Sequence, residues 1–267
     1  MARLRPPHWR EAPPAAVFGA LSQHNEDKAA DAVRINAQLI GSELASLGID
    51  VDCAPVLDVP AEGSHDIVGD RAFGTAPELV SRLGRAALKG FLAAGVIPVV
   101  KHIPGHGRAS VDSHLELPVV TDELSELRRV DFVPFAELAD APWAMTAHVV
   151  YEAIDRDNPA TTSRIVINDI IRGEIGFDGL LISDDLSMKA LSGTFGERAA
   201  LALSAGCDVA LHCNGDLDEM RAVADGSGPL TSRALERVAV GRRAISCAEA
   251  VDLSELAAQL RPLLVTA

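Results

Sequence analysis

A chain of 267 residues fits one α/β-barrel-sized domain or two small ones, which excludes a peptide, a zinc-stapled mini-domain and a disulfide scaffold. With 48% hydrophobic and 23% charged residues, it is too apolar to stay disordered. Its net charge of −14 opposes DNA and RNA electrostatically, so nucleic acid is not an expected partner.

The N-terminus, MARLRPPHWREAPPAAVFGAL, has no continuous apolar core of the kind a secretory signal needs. No run approaches the roughly 20 apolar residues of a membrane span. The cysteines at 53, 207, 213 and 247 form no CxxC pair, so neither a zinc knuckle nor a disulfide framework is suggested. The expectation is a cytoplasmic protein in a reducing compartment, with no membrane partner.

Along the chain, short β-branched runs alternate with amphipathic patterns, the signature of βα units around a parallel sheet. In Glu26 to Leu47, apolar Ala30, Val33, Ala37, Ile40 and Leu44 recur at helical spacing before a stop at Gly48. A first strand is predicted over Ile49 to Val56. Pro77 opens a second helix through Leu83, Ala87 and Phe91 to Gly95. Further strands are predicted at Val96 to His102, Trp143 to Val149, Gly179 to Ser183 and Cys207 to His212, with helices near residues 164–175, 195–205, 216–224 and 230–247. The last stretch, Leu253 to Leu264, reads as an amphipathic helix outside the sheet. No repeat or interdomain linker interrupts residues 1–267, which read as a single domain.

In parallel α/β folds the reacting groups gather at the C-terminal ends of strands. Those ends supply Asp58, then Lys101 and His102, His148 and Tyr151, Asp184 and Asp185, and Asn214. The segment KHIPGHGRASVDSH, residues 101–114, is the richest. Pro104, Gly105 and Gly107 forbid a helix there, so His102 and His106 are not a helical metal pair; the glycines suggest a loop able to move. Asp112 lies two residues before His114, close enough for a carboxylate to hold an imidazole tautomer for acid/base work. In LLISDDLSM, residues 180–188, a carboxylate on a rigid strand end can act as a nucleophile. The competing reading is N-capping, chiefly by Asp185, or simple solvation of Asp184.

Taken together, GIDVDCAPVLDV, GDRAFG, KHIPGHG with DSH, MTAHVVY, GFDGLLISDDLSM and AGCDVALHCN resemble, in order and spacing, the bacterial β-N-acetylglucosaminidases of glycoside hydrolase family 3, the NagZ type. The resemblance covers nearly the whole chain, and KHIPGHG followed by DSH and SDDLSM is its specific part. It implies a (β/α)8 barrel that removes terminal N-acetylglucosamine from muropeptides in peptidoglycan recycling, with no cofactor and no metal. Carried over residue by residue, Asp184 is the nucleophile, His114 the general acid/base and Asp112 its orienting carboxylate. Arg71, Lys101 and His102 contact the sugar. The chemistry suits these groups, because an ordinary imidazole titrates near pH 6.5 and passes a proton either way near neutrality.

Blander readings stand beside these roles. Lys101 and His102 are also what a solvated strand end looks like, and Arg71 has Asp70 and Glu78 as surface partners within reach in sequence. His106 reads as a brace for its loop and His148 as a hydrogen-bonding group at the sheet end. His8, His24, His65 and His212 read as structural or solvated, and Cys207 and Cys213 as small buried hydrophobes.

Only five of eight strands are found. The family pattern places three strands before GIDVDCAPVLDV, the last leading into a motif of the form DQEGGRVxRL. MARLRPPHW resembles the continuation of that motif, with Met1 in the place of its valine and Arg3 matching a substrate-contacting arginine. The expectation is therefore an N-terminally incomplete barrel with exposed strand edges and an open, apolar interior, arising from a misassigned start or a true truncation. Two rival functions stay open: a metal-dependent hydrolase using His102, His106, Asp112, His114 and His148, and an inactive fragment of the glycosidase that folds poorly, swaps elements or dimerises across its open edge.

Overall fold

The computed structural model describes residues 4, 6–65, 68–246 and 251–264. A short helix α1 (Ala15–Ser22) leads into α2 (Glu26–Ser46). Asn25 starts α2 by accepting the Lys28 N–H at 2.9 Å, and Glu26 and Asp27 place negative charge at the positive end of the helix dipole. After α2, Gly48 takes a φ of +76°, the left-handed stop that its position predicts. Strand β1 (Val51–Asp52) follows, then α3 (Pro77–Ala93) with Pro77 in its first turn. Helices α2 and α3 pack so closely that a Cβ on Gly90 would lie 2.3 Å from the Arg34 carbonyl oxygen.

The chain continues through β2 (Ile97–Ile103), β3 (Val119–Val120), α4 (Leu124–Arg129), α5 (Val133–Glu137), β4 (Trp143–Thr146) and β5 (Val150–Tyr151). A π-helical segment, Val166–Glu174, precedes β6 (Leu180–Asp185), α6 (Phe195–Ala205), β7 (Val209–Leu211), α7 (Leu217–Ser227), α8 (Ser232–Ala244) and α9 (Leu253–Leu264). Each of the five predicted strands is present, and β1-β2-β4-β6-β7 form one sheet in that order. Every pairing is parallel, so the architecture is an incomplete (β/α)8-type barrel. The first strand is shorter than the predicted Ile49 to Val56, because Pro55 offers no N–H to the ladder. Contact with β2 nevertheless resumes in a parallel bridge between Val56 and Lys101.

Alternation along the strands separates two faces. Val100, Ala144 and Leu181 join the large core formed with α2 and α3, and Leu256 and Leu260 of α9 complete it. Val99, Met145, Leu180 and Ile182 face the other way and pack with Ala234 and Val238 of α8. Lys101 and Asp184 stand two residues beyond Val99 and Ile182, near the C-terminal ends of their strands. The sheet is open: among the described residues β1 and β7 each have one neighbour in it. An apolar cavity of about 640 Å³ lies beside β1, walled by Phe18, Val33, Ile40, Phe73 and Phe91. Among the described residues no helix is long and apolar enough to cross a membrane.

Candidate active site

The site is built around an aspartate whose role the sequence left unassigned. Asp58 sits between buried Leu57 and Val59 and is itself 0% exposed. Its Oδ1 accepts the backbone N–H groups of His102 at 3.1 Å and His106 at 2.7 Å, and its Oδ2 lies 2.7 Å from His102 Nδ1. Burial alone would raise this carboxyl, but the His102 charge and hydrogen bond, with further help from His106, hold it down at about 2. An ionised acceptor at that distance requires the proton on Nδ1 of His102. The other ring nitrogen, Nε2, is thereby presented to Asp184, 3.9 Å from its Oδ2. A charged residue inside the apolar run APVLDV was the one available signal for this anchor.

The two adjacent aspartates of β6 have different tasks. Asp185 accepts the Ser187 N–H at 3.0 Å, the Ser187 hydroxyl at 2.6 Å and the Cys213 N–H at 3.1 Å. It caps a turn and ties β6 to the segment after β7. Asp184 accepts the Asp185 N–H on Oδ1 at 2.8 Å and keeps Oδ2 facing the cleft. Burial pushes Asp184 up, yet the charges of His102 and His148, the Asp185 N–H and Lys101 together bring it below the usual carboxylate range. It is an anion at neutral pH, as a nucleophile must be.

The segment 101–118 is more firmly held than its glycines suggest. Gly105 and Gly107 are buried and are not hinges. A Cβ on Gly107 would lie 2.0 Å from the Val59 carbonyl oxygen, and Gly105, at φ +140°, packs on Asp131. Both are glycine because another chain segment occupies the space of a side chain. Arg108 then fastens the segment to three carboxylates, Asp131 at 2.6 Å, Asp122 at 2.7 Å and Glu126 at 2.9 Å, and the Tyr151 hydroxyl donates to the Gly105 carbonyl at 2.6 Å. Residues 110–117, apart from Ser113, are half-buried or exposed. There Asp112 Oδ1 receives both the His114 N–H and Nδ1, each at 2.8 Å. Partial burial raises Asp112, and these two bonds with the imidazole charge outweigh it, so its net position is lowered.

Arg71, Lys101, His102, His106, Ser113, His114 and Asp184 line one cleft of about 100 Å³ at the strand ends. The structure thus brings together five of the seven residues singled out from sequence and sets a sixth, Asp112, behind His114. The seventh, Arg3, lies outside the described residues. Arg71 donates to the Val68 carbonyl at 3.3 Å and also borders the larger apolar cavity, as does Lys101. Cys207 is buried whereas Cys213 is exposed, because it lies past β7 in a loop tied through its backbone.

His148 and His212 are braces, while His8, His24 and His65 are exposed. His148 bonds Thr161 Oγ1 at 2.7 Å and the Asp185 carbonyl at 3.1 Å; His212 bonds Glu219 at 2.7 Å. Among the described residues no three His, Cys, Asp or Glu side chains converge as a metal site would require, so the ligand set of the metal-hydrolase alternative is not assembled. His106 is pushed down to about 4 by burial and by the like charge of His102, against the pull of Asp58. Because its charged form is disfavoured only in the folded state, stability is lost as pH falls from about 6.5 towards 4. Asp131, raised to about 6 by burial, has the opposite slope between about 3.8 and 6. Wild type and His106→Gln share that second term. The stability advantage of wild type over the variant should therefore shrink between pH 6.5 and 4 by on the order of 3 kcal/mol, measured by urea unfolding; a constant difference would contradict it.

A parallel barrel-type sheet thus sets an ionised carboxylate and an imidazole–carboxylate pair around one cleft. The chain belongs to glycosyl hydrolase family 3: the profile of that family's N-terminal domain matches residues 8–240. It is 40% identical over 228 residues to a β-hexosaminidase of Thiobacillus denitrificans, covering 83% of this chain and 63% of that protein. A β-hexosaminidase of Alkalilimnicola ehrlichii is 47% identical over 180 residues, 66% of this chain and 51% of that protein. The chain therefore spans about half to two thirds of these relatives' length. Among solved structures, NagZ from Neisseria gonorrhoeae in complex with N-trifluoroacetyl-D-glucosamine superposes with a TM-score of 0.82 at 32% identity, covering 95% of this chain and 76% of that one. A family 3 β-N-acetylglucosaminidase from Paenibacillus gives 0.79 at 33% identity, covering 93% and 51%.

Proposed function

We propose that residues 1–267 act as a catalytic domain of a retaining β-N-acetylglucosaminidase. The observation that carries this is the placement of the Asp184 carboxylate and the Asp112–His114 pair on one cleft. In the first step Asp184 Oδ2 attacks the anomeric carbon, the bond from that carbon to the aglycone oxygen breaks, and His114 Nε2 gives its proton to the departing oxygen. In the second, His114 takes a proton from water, the hydroxide adds to the anomeric carbon, and Asp184 is released as carboxylate. Asp112 keeps the proton on His114 Nδ1 and steadies the imidazolium, while Lys101, Arg71 and His102 hold sugar oxygens, His102 in the orientation Asp58 imposes. Arg3 belongs to the same set by motif resemblance. No metal enters these steps.

The relatives' names support a terminal N-acetylhexosamine as substrate, and the family resemblance extends the reading to N-acetylglucosamine on a muropeptide, released in the cytoplasm during peptidoglycan recycling. The test is hydrolysis of 4-nitrophenyl N-acetyl-β-D-glucosaminide by this chain and by His114→Ala, with proton NMR of the first sugar released. Release of the β-anomer by wild type, and loss of turnover on the order of 10²-fold or more in the variant, are expected. An α-anomer, or full turnover without His114, would overturn the assignment.

A further inference from the structure

Between Ala109 and Pro118, Ser113 is the one buried residue, at 3% exposure, in a run otherwise half-buried or exposed. Its hydroxyl oxygen lies 3.1 Å from His106 Nε2. His106 is 4% exposed, and its backbone N–H is held by Asp58, so this imidazole belongs to the rigid part of the site. Among the described residues the opposite ring nitrogen, Nδ1, is buried with no hydrogen-bond partner. A buried N–H left without an acceptor costs more than an unused lone pair, which places the ring proton on Nε2 as a donor to Ser113.

The two ends of the run are fastened independently of this contact. On one side the His65 N–H donates to the Ala109 carbonyl at 2.8 Å. On the other, Pro118 leads into β3, which pairs with β5. The side chain of His114, adjacent to Ser113, is 59% exposed and among the described residues bonds only to Asp112, another member of the same run. Among the described residues, then, the Ser113 hydroxyl is the one side-chain hydrogen bond tying residues 110–117 to the framework that holds Asp184.

We propose that His106 and Ser113 form a latch that seats His114 over the cleft, acting as positioning residues for proton delivery to the leaving group. This rests on the reading of His114 as acid/base and extends it: the geometry of the acid is set by a hydrogen bond from a buried, uncharged imidazole to the residue beside it. Releasing the latch leaves Asp184 and the sugar contacts in place. What is lost is the proton's position, and a displacement of about 1 Å costs a rate factor of roughly 10².

The experiment compares wild type, Ser113→Ala and Ser113→Thr by amide hydrogen exchange and on two N-acetyl-β-glucosaminides, one with a sugar aglycone and one with 2,4-dinitrophenolate, which departs without a proton. In Ser113→Ala, exchange across residues 110–117 should quicken about tenfold or more with the rest of the chain unchanged. Its kcat/KM should fall roughly 10²-fold on the sugar aglycone and by less than about threefold on the dinitrophenyl substrate. Ser113→Thr, which keeps the hydroxyl, should restore both. Unchanged exchange in Ser113→Ala, or an equal loss on both aglycones, overturns the latch. Failure of wild type on both substrates would refute the glycosidase reading, and the exchange rates would still decide the latch.

Discussion

Replacing Asp184 by alanine is expected to lower kcat/KM for an N-acetyl-β-glucosaminide by on the order of 10⁴-fold or more, because the covalent step then has no acceptor for the anomeric carbon. The neighbouring aspartate supplies the control. Asp185 spends its oxygens on Ser187 and Cys213, so Asp185→Asn should loosen the turn after β6 and leave the chemistry running. Azide separates a missing nucleophile from a damaged fold. It fits the space of the lost carboxylate, attacks from the same face and should restore turnover to Asp184→Ala with an α-glycosyl azide as product. Turnover of Asp184→Ala within about tenfold of wild type, or rescue that yields the β-azide, would remove Asp184 from the mechanism.

That the two aspartates of SDDLSM could be told apart shows how much of the site was legible beforehand. Strands buried on both faces are nearly pure apolar runs, so the first polar residues after them stand out, and Lys101, His102 and Asp184 were readable on that ground. Capping by Asp185 was readable as one of the alternatives, and its bonds to Ser187 and Cys213 bear it out, whereas the nucleophilic role of Asp184 came only from the family resemblance. Gly105 and Gly107 misled for a physical reason. Glycine in a sequence signals either freedom or close approach, and only the Val59 carbonyl lying where a Cβ would be separates the two. Asp58 and Ser113 act through long-range contacts, across 44 and 7 residues respectively, and local pattern carries no record of the partner. The short helices α1, α4 and α5 escaped notice because eight residues or fewer are too few turns to establish a helical period. The pair β3 and β5, two residues each, is shorter than any alternation that can be read.

The largest loss of stability at the site should come from Asp58→Asn, a change of nearly equal shape. Three donors converge on Asp58: the His102 N–H, the His106 N–H and His102 Nδ1–H. An asparagine offers one oxygen for them and points its own NH₂ group at whichever donor faces the other position. The substitution also removes the only negative charge in direct contact with His102 Nδ1 among the described residues, inside a region with no water-exposed surface at that carboxylate. Leaving buried donors without their ionised acceptor costs about 3 kcal/mol, which for a chain of this size corresponds to a fall in Tm of about 10 °C. Part of the pH dependence should vanish with it. Asp58 stabilises the fold at every pH above the ordinary carboxylate value, and that contribution is lost as pH drops from about 3.8 to about 2, a limb that Asp58→Asn should lack. Activity should fall as well, since nothing then fixes the tautomer that turns His102 Nε2 towards Asp184. Calorimetry and kcat/KM on one preparation test both halves: a Tm within about 2 °C of wild type would refute the buried anchor, and unchanged kcat/KM in a folded variant would refute its hold on His102.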